Sequence, residues 1–159
     1  MALNAALLKE SFEAILPTSD RLASVFYDTL FRRYPALQPL FEQTGLEAQK
    51  RKLIRALGLI VLNTERPIAL HAYLGGLGQI HQSYGVEPVD YPAVRECLLA
   101  ALTEVSDTWG IEVEKAWTEA LDHVIDLMLA GAHRPVLGWR APMATHHPAG
   151  ERLVRGDGA

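Results

Sequence analysis

Apolar residues recur in this chain at three- and four-residue spacing almost from end to end, and no stretch alternates at a period of two. That pattern gives the expectation of an all-α domain. Asn4 is placed to cap a first helix to about Leu16, with Leu7, Leu8, Ser11, Phe12 and Ile15 inward and Pro17 as its stop. Thr18-Ser19-Asp20 supplies the next cap, before a helix to about Arg33 striped by Leu22, Val25, Phe26, Thr29 and Leu30, with Tyr27 beside the stripe. Tyr34-Pro35 begins a short helical turn through Leu40-Phe41, and Thr44-Gly45 loosens the chain. From Glu47 to about Leu62 one face aligns Gln49, Leu53, Ala56 and Ile60, so a polar residue heads an apolar stripe.

Thr64 and Pro67 mark the next start, and Leu70, Leu74, Leu77 and His81 then fall on one stripe. Gly75 and Gly76 make this helix locally weak, with the expectation that it bends or breaks there. After a Tyr84 to Val89 turn, a helix from Asp90 to about Ser106 carries Val94, Leu98, Ala101, Leu102 and Val105 inward, with Cys97 next to that face. A last long helix from Glu112 to about Ala130 has Val113, Trp117, Ala120, Leu121, Val124, Ile125 and Met128 as its core side. From His133 onward prolines and glycines interrupt every pattern, so residues 1–132 read as one domain and 133–159 as an extended or disordered tail. His146-His147 within it reads as an adventitious metal binder at most.

His81 is the residue with chemistry to offer. An imidazole ending an apolar stripe is either a core histidine bonded to a carbonyl or a ligand to a metal or metal cofactor. At 159 residues the chain can bury a core without metal or disulfide staples. A net charge of -4, with neither sign forming a long block, gives no footprint for nucleic acid or a membrane surface. The single Cys97 excludes an internal disulfide and a thioether-linked haem, so any haem is held non-covalently. No signal peptide is read at the N-terminus, and the longest apolar run, Leu57 to Leu62, is far too short to span a bilayer; the expected location is the cytoplasm.

The markers together resemble the globin family. Phe26-Tyr27-Asp28-Thr29-Leu30-Phe31-Arg32-Arg33-Tyr34-Pro35, followed by Leu40-Phe41, is similar to the tyrosine-bearing second helix and phenylalanine corner of bacterial globins. Gln49-Lys50-Arg51-Lys52-Leu53 looks like their distal helix, and His81 followed by Tyr91-Pro92-Ala93-Val94 looks like the proximal segment of flavohaemoglobin globin domains and bacterial single-domain globins. The resemblance spans residues 3 to 131 and implies six to eight helices around a haem b pocket.

It also implies roles. His81 would bind iron, its other ring nitrogen donating to a carbonyl one turn earlier. Tyr27 and Gln49 would donate hydrogen bonds on the opposite face, favouring oxygen over a less polarised ligand such as carbon monoxide. Leu53 would press on the ligand, Phe41 would stack on the macrocycle edge, and Val86, Val94 and Leu98 would line the proximal side. Leu77, Tyr84 and Tyr91 complete that set, and Lys52 or Arg51 would reach a haem propionate. His71 and His123 are read as non-ligands; Gln49 stands where a distal histidine could, so the iron is expected open on one side.

Two departures bear on activity. Flavohaemoglobin globin domains pair a Tyr and a Glu with the proximal histidine; Tyr91 is kept, but Gly131-Ala132 stands where the Glu would be, so a weaker proximal push is expected and peroxidase-like chemistry is put in doubt. The 159 residues leave no room for flavin and nicotinamide domains, so a separate reductase is expected. The expected function is binding of O2, NO or CO, with nitric oxide dioxygenation given an external reductant; the alternatives are a non-enzymatic oxygen carrier, scavenger or sensor, or a helical scaffold without cofactor.

Overall fold

The computed structural model describes residues 2–133, and the element order is α1 (Ala5–Ile15), α2 (Ser19–Arg33), α3 (Leu46–Leu62), α4 (Pro67–Ser83), α5 (Asp90–Val105) and α6 (Ile111–Ala132). Short 3-10 segments at Leu16–Thr18 and Pro35–Phe41 join α1 to α2 and follow α2. The described residues contain no strand, as the uniform helical period requires. Residues 134–159, with His146-His147 and all but the first residue of the expected 133–159 segment, lie outside the described residues.

Local chemistry explains most boundaries. The Asn4 side chain accepts from the Leu7 amide at 3.2 Å, the expected cap. Thr18 makes no cap; its hydroxyl donates back to the Ile15 carbonyl at 3.1 Å, because the 3-10 turn around Pro17 runs directly into α2. Gly45 precedes α3 at φ 72, where a side chain would be strained. Pro67 opens α4 in its first turn, where no donor is missed.

The expected weakness of α4 is not what its glycines produce, since the helix runs unbroken from Pro67 to Ser83. Gly78, with Gly131 of α6, instead lets α4 and α6 touch backbone to backbone. A Cβ on Gly78 would collide with the Met128 main chain, and one on Gly131 with the main chain of Gly75. Propensity lost within α4 is offset by close packing against α6, so context overrides the local rule.

α2 packs on α5 and α3, α1 on α3 and α6, and α4 on α6. The buried side chains form two clusters. The larger joins α1, α2, α5 and the first part of α6 around Trp117, whose indole N–H donates to the Ser11 hydroxyl at 2.9 Å. The smaller joins Leu70, Leu74, Tyr91, Val124, Leu127 and Met128 with Ile60. Helix α3 therefore contributes Leu57 and Val61 to one cluster and Ile60 to the other. No helix among the described residues is long and apolar enough to cross a membrane.

Candidate functional site

Tyr27 faces inward from α2 and is 2% exposed, although its sequence position put it beside the apolar stripe. Its ring sits edge-on to Phe26 at 4.9 Å and to Phe41 at 5.5 Å between centroids, with Phe31 5.8 Å away. This aromatic packing fixes the ring and leaves only its polar end to be satisfied. The hydroxyl lies 3.4 Å from the main-chain carbonyl of Gln49, a long hydrogen bond across to the first turns of α3. Burial pushes the phenol up to about 12, opposed in part by the Gln49 side chain. At neutral pH the group is a proton donor in apolar surroundings, with the Gln49 carboxamide beside it.

Leu53, one turn beyond Gln49, and Phe41 are partly buried against the cluster that holds Tyr27. Val94 and Leu98 pack in that same cluster rather than with Val86, because α5 lies against α2. Lys52 is exposed at the edge of the face headed by Gln49, while Arg51 is exposed on the outer side of α3.

His81 is half-buried near the end of α4. Its Nδ1 lies 2.8 Å from the Leu77 carbonyl, so the proton sits on Nδ1 and the Nε2 lone pair is free, with no hydrogen-bond partner among the described residues. Burial lowers the imidazole's affinity for a proton, opposed by the Leu77 carbonyl, and so favours the neutral form that binds metals. The Tyr91 ring lies 6.4 Å from the imidazole, and Leu77 and Val86 pack in the same smaller cluster. Tyr84 is different: it is 70% exposed and packs in neither cluster, because it stands at the end of α4, where its amide caps the Ile80 and His81 carbonyls. Among the described residues no carboxylate bonds to His81, and Gly131 is pressed against Gly75.

The larger cluster thus holds a buried phenol beside the Gln49 carboxamide, and Leu77, Val86 and Tyr91 of the smaller one accompany an imidazole with a free ring nitrogen. No three His, Cys, Asp or Glu side chains among the described residues converge to hold a bare ion. A single imidazole of fixed tautomer is, however, sufficient for an iron already held by a flat macrocycle, and apolar clusters of this kind are what such a macrocycle packs against. The residues present fit a haem. The surface depression lined by Ile111, Glu114, Lys115, Thr118 and Glu119 carries none of them.

Sequence reasoning missed the Ser11 to Trp117 hydrogen bond and the contacts of Gly78 and Gly131 with the opposite backbone. Gly131 was noted for what it lacked, and only three-dimensional packing reveals what it allows.

Comparison with known proteins gives a consistent picture. The sequence pattern of the Globin family matches residues 24–128. A flavohemoprotein of Rhizobium meliloti is 35% identical over 106 residues, 65% of this chain, and the chain spans only about a quarter (26%) of that relative's length. An uncharacterized globin-like protein of Aquifex aeolicus is 30% identical over 123 residues, 77% of this chain and 87% of its own. Among solved structures, an engineered carbene transferase from Rhodothermus marinus, provisionally designated a nitric oxide dioxygenase, superposes with a TM-score of 0.72 at 32% identity, covering 80% of this chain and 89% of that one.

Proposed function

The chain belongs to the globin family, and from that premise we propose that His81 binds the iron of a non-covalently held b-type haem while Tyr27 and Gln49 act on a diatomic ligand opposite it. The haem, when bound, supplies an iron that takes O2, NO or CO and the one-electron chemistry by which nitric oxide and oxygen become nitrate. The balance is one nitric oxide, one oxygen and one electron giving one nitrate anion, and the electron comes from a donor outside the globin fold.

The chain's own residues do four things in this reading. His81 offers a neutral Nε2 whose direction is set by Nδ1 donating to the Leu77 carbonyl. The Tyr27 hydroxyl and the Gln49 amide offer neutral donors that favour a polarised ligand. Leu53, Phe41, Leu77, Val86, Val94 and Leu98 exclude water, which strengthens those donors. Lys52 sits at the edge, suited to a propionate.

The observation that carries the reading is the buried Tyr27 hydroxyl beside Gln49. Rapid mixing of the oxygenated protein with nitric oxide tests it. Ferric protein and stoichiometric nitrate, formed at near encounter-limited rate, are expected. One observation favours the alternative of an oxygen carrier, scavenger or sensor without turnover: His81 is polarised by a main-chain carbonyl and, among the described residues, by no carboxylate, which suits holding a ligand over cleaving one. Absence of nitrate would leave that alternative.

A further inference from the structure

Each turnover in the reading above consumes an electron that the globin fold does not generate, so a donor has to meet this surface. The charges are distributed unevenly. Helix α3 carries Lys50, Arg51, Lys52 and Arg55 against Glu47 alone, whereas α6 carries Glu112, Glu114, Glu119, Asp122 and Asp126 against Lys115 alone. Among the described residues of a chain of net charge -4, α3 is the most basic helix.

Three of the α3 cations have no ion pair among the described residues. Lys50 bonds Glu47, but Arg51, Lys52 and Arg55 are exposed and unpaired; Arg32, Arg66 and Lys115 are too, but each stands on a different segment, and only α3 gathers three such cations on one helix. Their placement does not help the helix. Arg51, Lys52 and Arg55 stand past the first turn, beyond the reach of the helix dipole, and are left to solvent.

Position supplies the rest. At about 100° per residue, Arg51, Arg55 and Leu62 share the outer side of α3, and Lys52 lies between them and the face headed by Gln49. Leu62 is 69% exposed, an apolar residue on an otherwise charged strip. Lys52 joins this strip to the face that Gln49 heads on the same helix. A small charged patch with an exposed apolar residue, beside the site, is the form of a weak electron-transfer interface.

We propose that Arg51, Arg55 and Leu62, bordered by Lys52, form the docking surface for an acidic one-electron donor protein. This rests on the proposed turnover of the haem iron. Nucleic acid and anionic lipid are disfavoured as partners because, among the described residues, the helices other than α3 taken together carry an acidic balance.

The test uses the haem-loaded full chain, with a reduced acidic flavodoxin as probe and stopped-flow detection of ferric haem reduction. The second-order rate of the unsubstituted protein is expected to fall about tenfold between low and high ionic strength. Arg51→Glu with Arg55→Glu is expected to lower the low-salt rate about tenfold and flatten its salt dependence. Reduction by photoreduced deazariboflavin and oxygen affinity should stay unchanged. Both positions are exposed and Glu matches Arg in helix propensity, so the variant should fold. A salt-independent rate in the unsubstituted protein, or an equal rate in the variant, overturns the proposal. It is equally overturned if the variant keeps its flavodoxin rate but loses binding to phosphatidylglycerol vesicles or to duplex DNA. Nitric oxide conversion by chemically pre-reduced protein involves no donor, so its failure would be distinguishable from failure of docking.

Discussion

The hydroxyl of Tyr27 on α2 and the main-chain carbonyl of Gln49 on α3 lie 3.4 Å apart, which ties the buried phenol to the turn of helix that carries the carboxamide. At that length the bond is weak, and the hydroxyl can turn to a better acceptor between the clusters at little cost.

Tyr27→Phe should therefore speed oxygen dissociation by about 10-fold to 100-fold, the loss of a hydrogen bond worth about 1.5 to 3 kcal/mol. Gln49→Val should have a smaller effect. Laser photolysis or stopped-flow displacement measures both, and an unchanged off-rate in Tyr27→Phe would remove the phenol from the ligand site.

Ser11→Ala tests a connection between α1 and α6 outside the site. It leaves the buried Trp117 indole N–H, which donates to Ser11 at 2.9 Å, without its partner. The expected cost is about 1–3 kcal/mol, seen as a fall in Tm of roughly 3–9 °C in thermal melts. A Tm within a degree of the parent would show that water replaces the hydroxyl freely.

The glycines of α4 should respond with opposite signs. Gly78→Ala would drive a Cβ into the Met128 main chain, an overpacking that costs about 1–3 kcal/mol. Gly76 has open space around its missing Cβ, so Gly76→Ala should stabilise by about 0.4–1 kcal/mol through helix propensity and a less flexible unfolded chain. Urea unfolding of both variants checks the contrast.

Stability should decline at both ends of the pH range for identifiable reasons. Burial lowers the His81 pKa below 6.5, so below pH 6.5 the unfolded chain binds more protons at this residue than the folded one. Its contribution is present above pH 6.5 and is lost as the pH falls through the folded value. Burial raises Tyr27 to about 12, so its contribution is complete below pH 10 and is lost as the pH rises toward 12. His81→Phe should flatten the acid limb, and Tyr27→Phe should remove one late-titrating tyrosinate from the ultraviolet titration.

Much of this arrangement is legible in the sequence because it rests on local rules. Helical period, the Asn4 cap and Pro67 in a first turn set most of the elements, and the family resemblance drew attention to Tyr27, Gln49 and His81. What was not legible depends on which helix lies against which. Gly75 reads as a weak point until Gly131 is brought against it, and Val94 and Leu98 sit with Tyr27 because α5 crosses α2. The 70% exposure of Tyr84 follows from its place at the end of α4, which residue spacing alone does not give.

The central claim is tested most directly by the axial coordination of the haem-loaded protein, read by resonance Raman in the ferrous state. The account predicts an iron–imidazole stretch that disappears in His81→Gly and returns when free imidazole is added. An iron–imidazole stretch that persists unchanged in His81→Gly without added imidazole would contradict it.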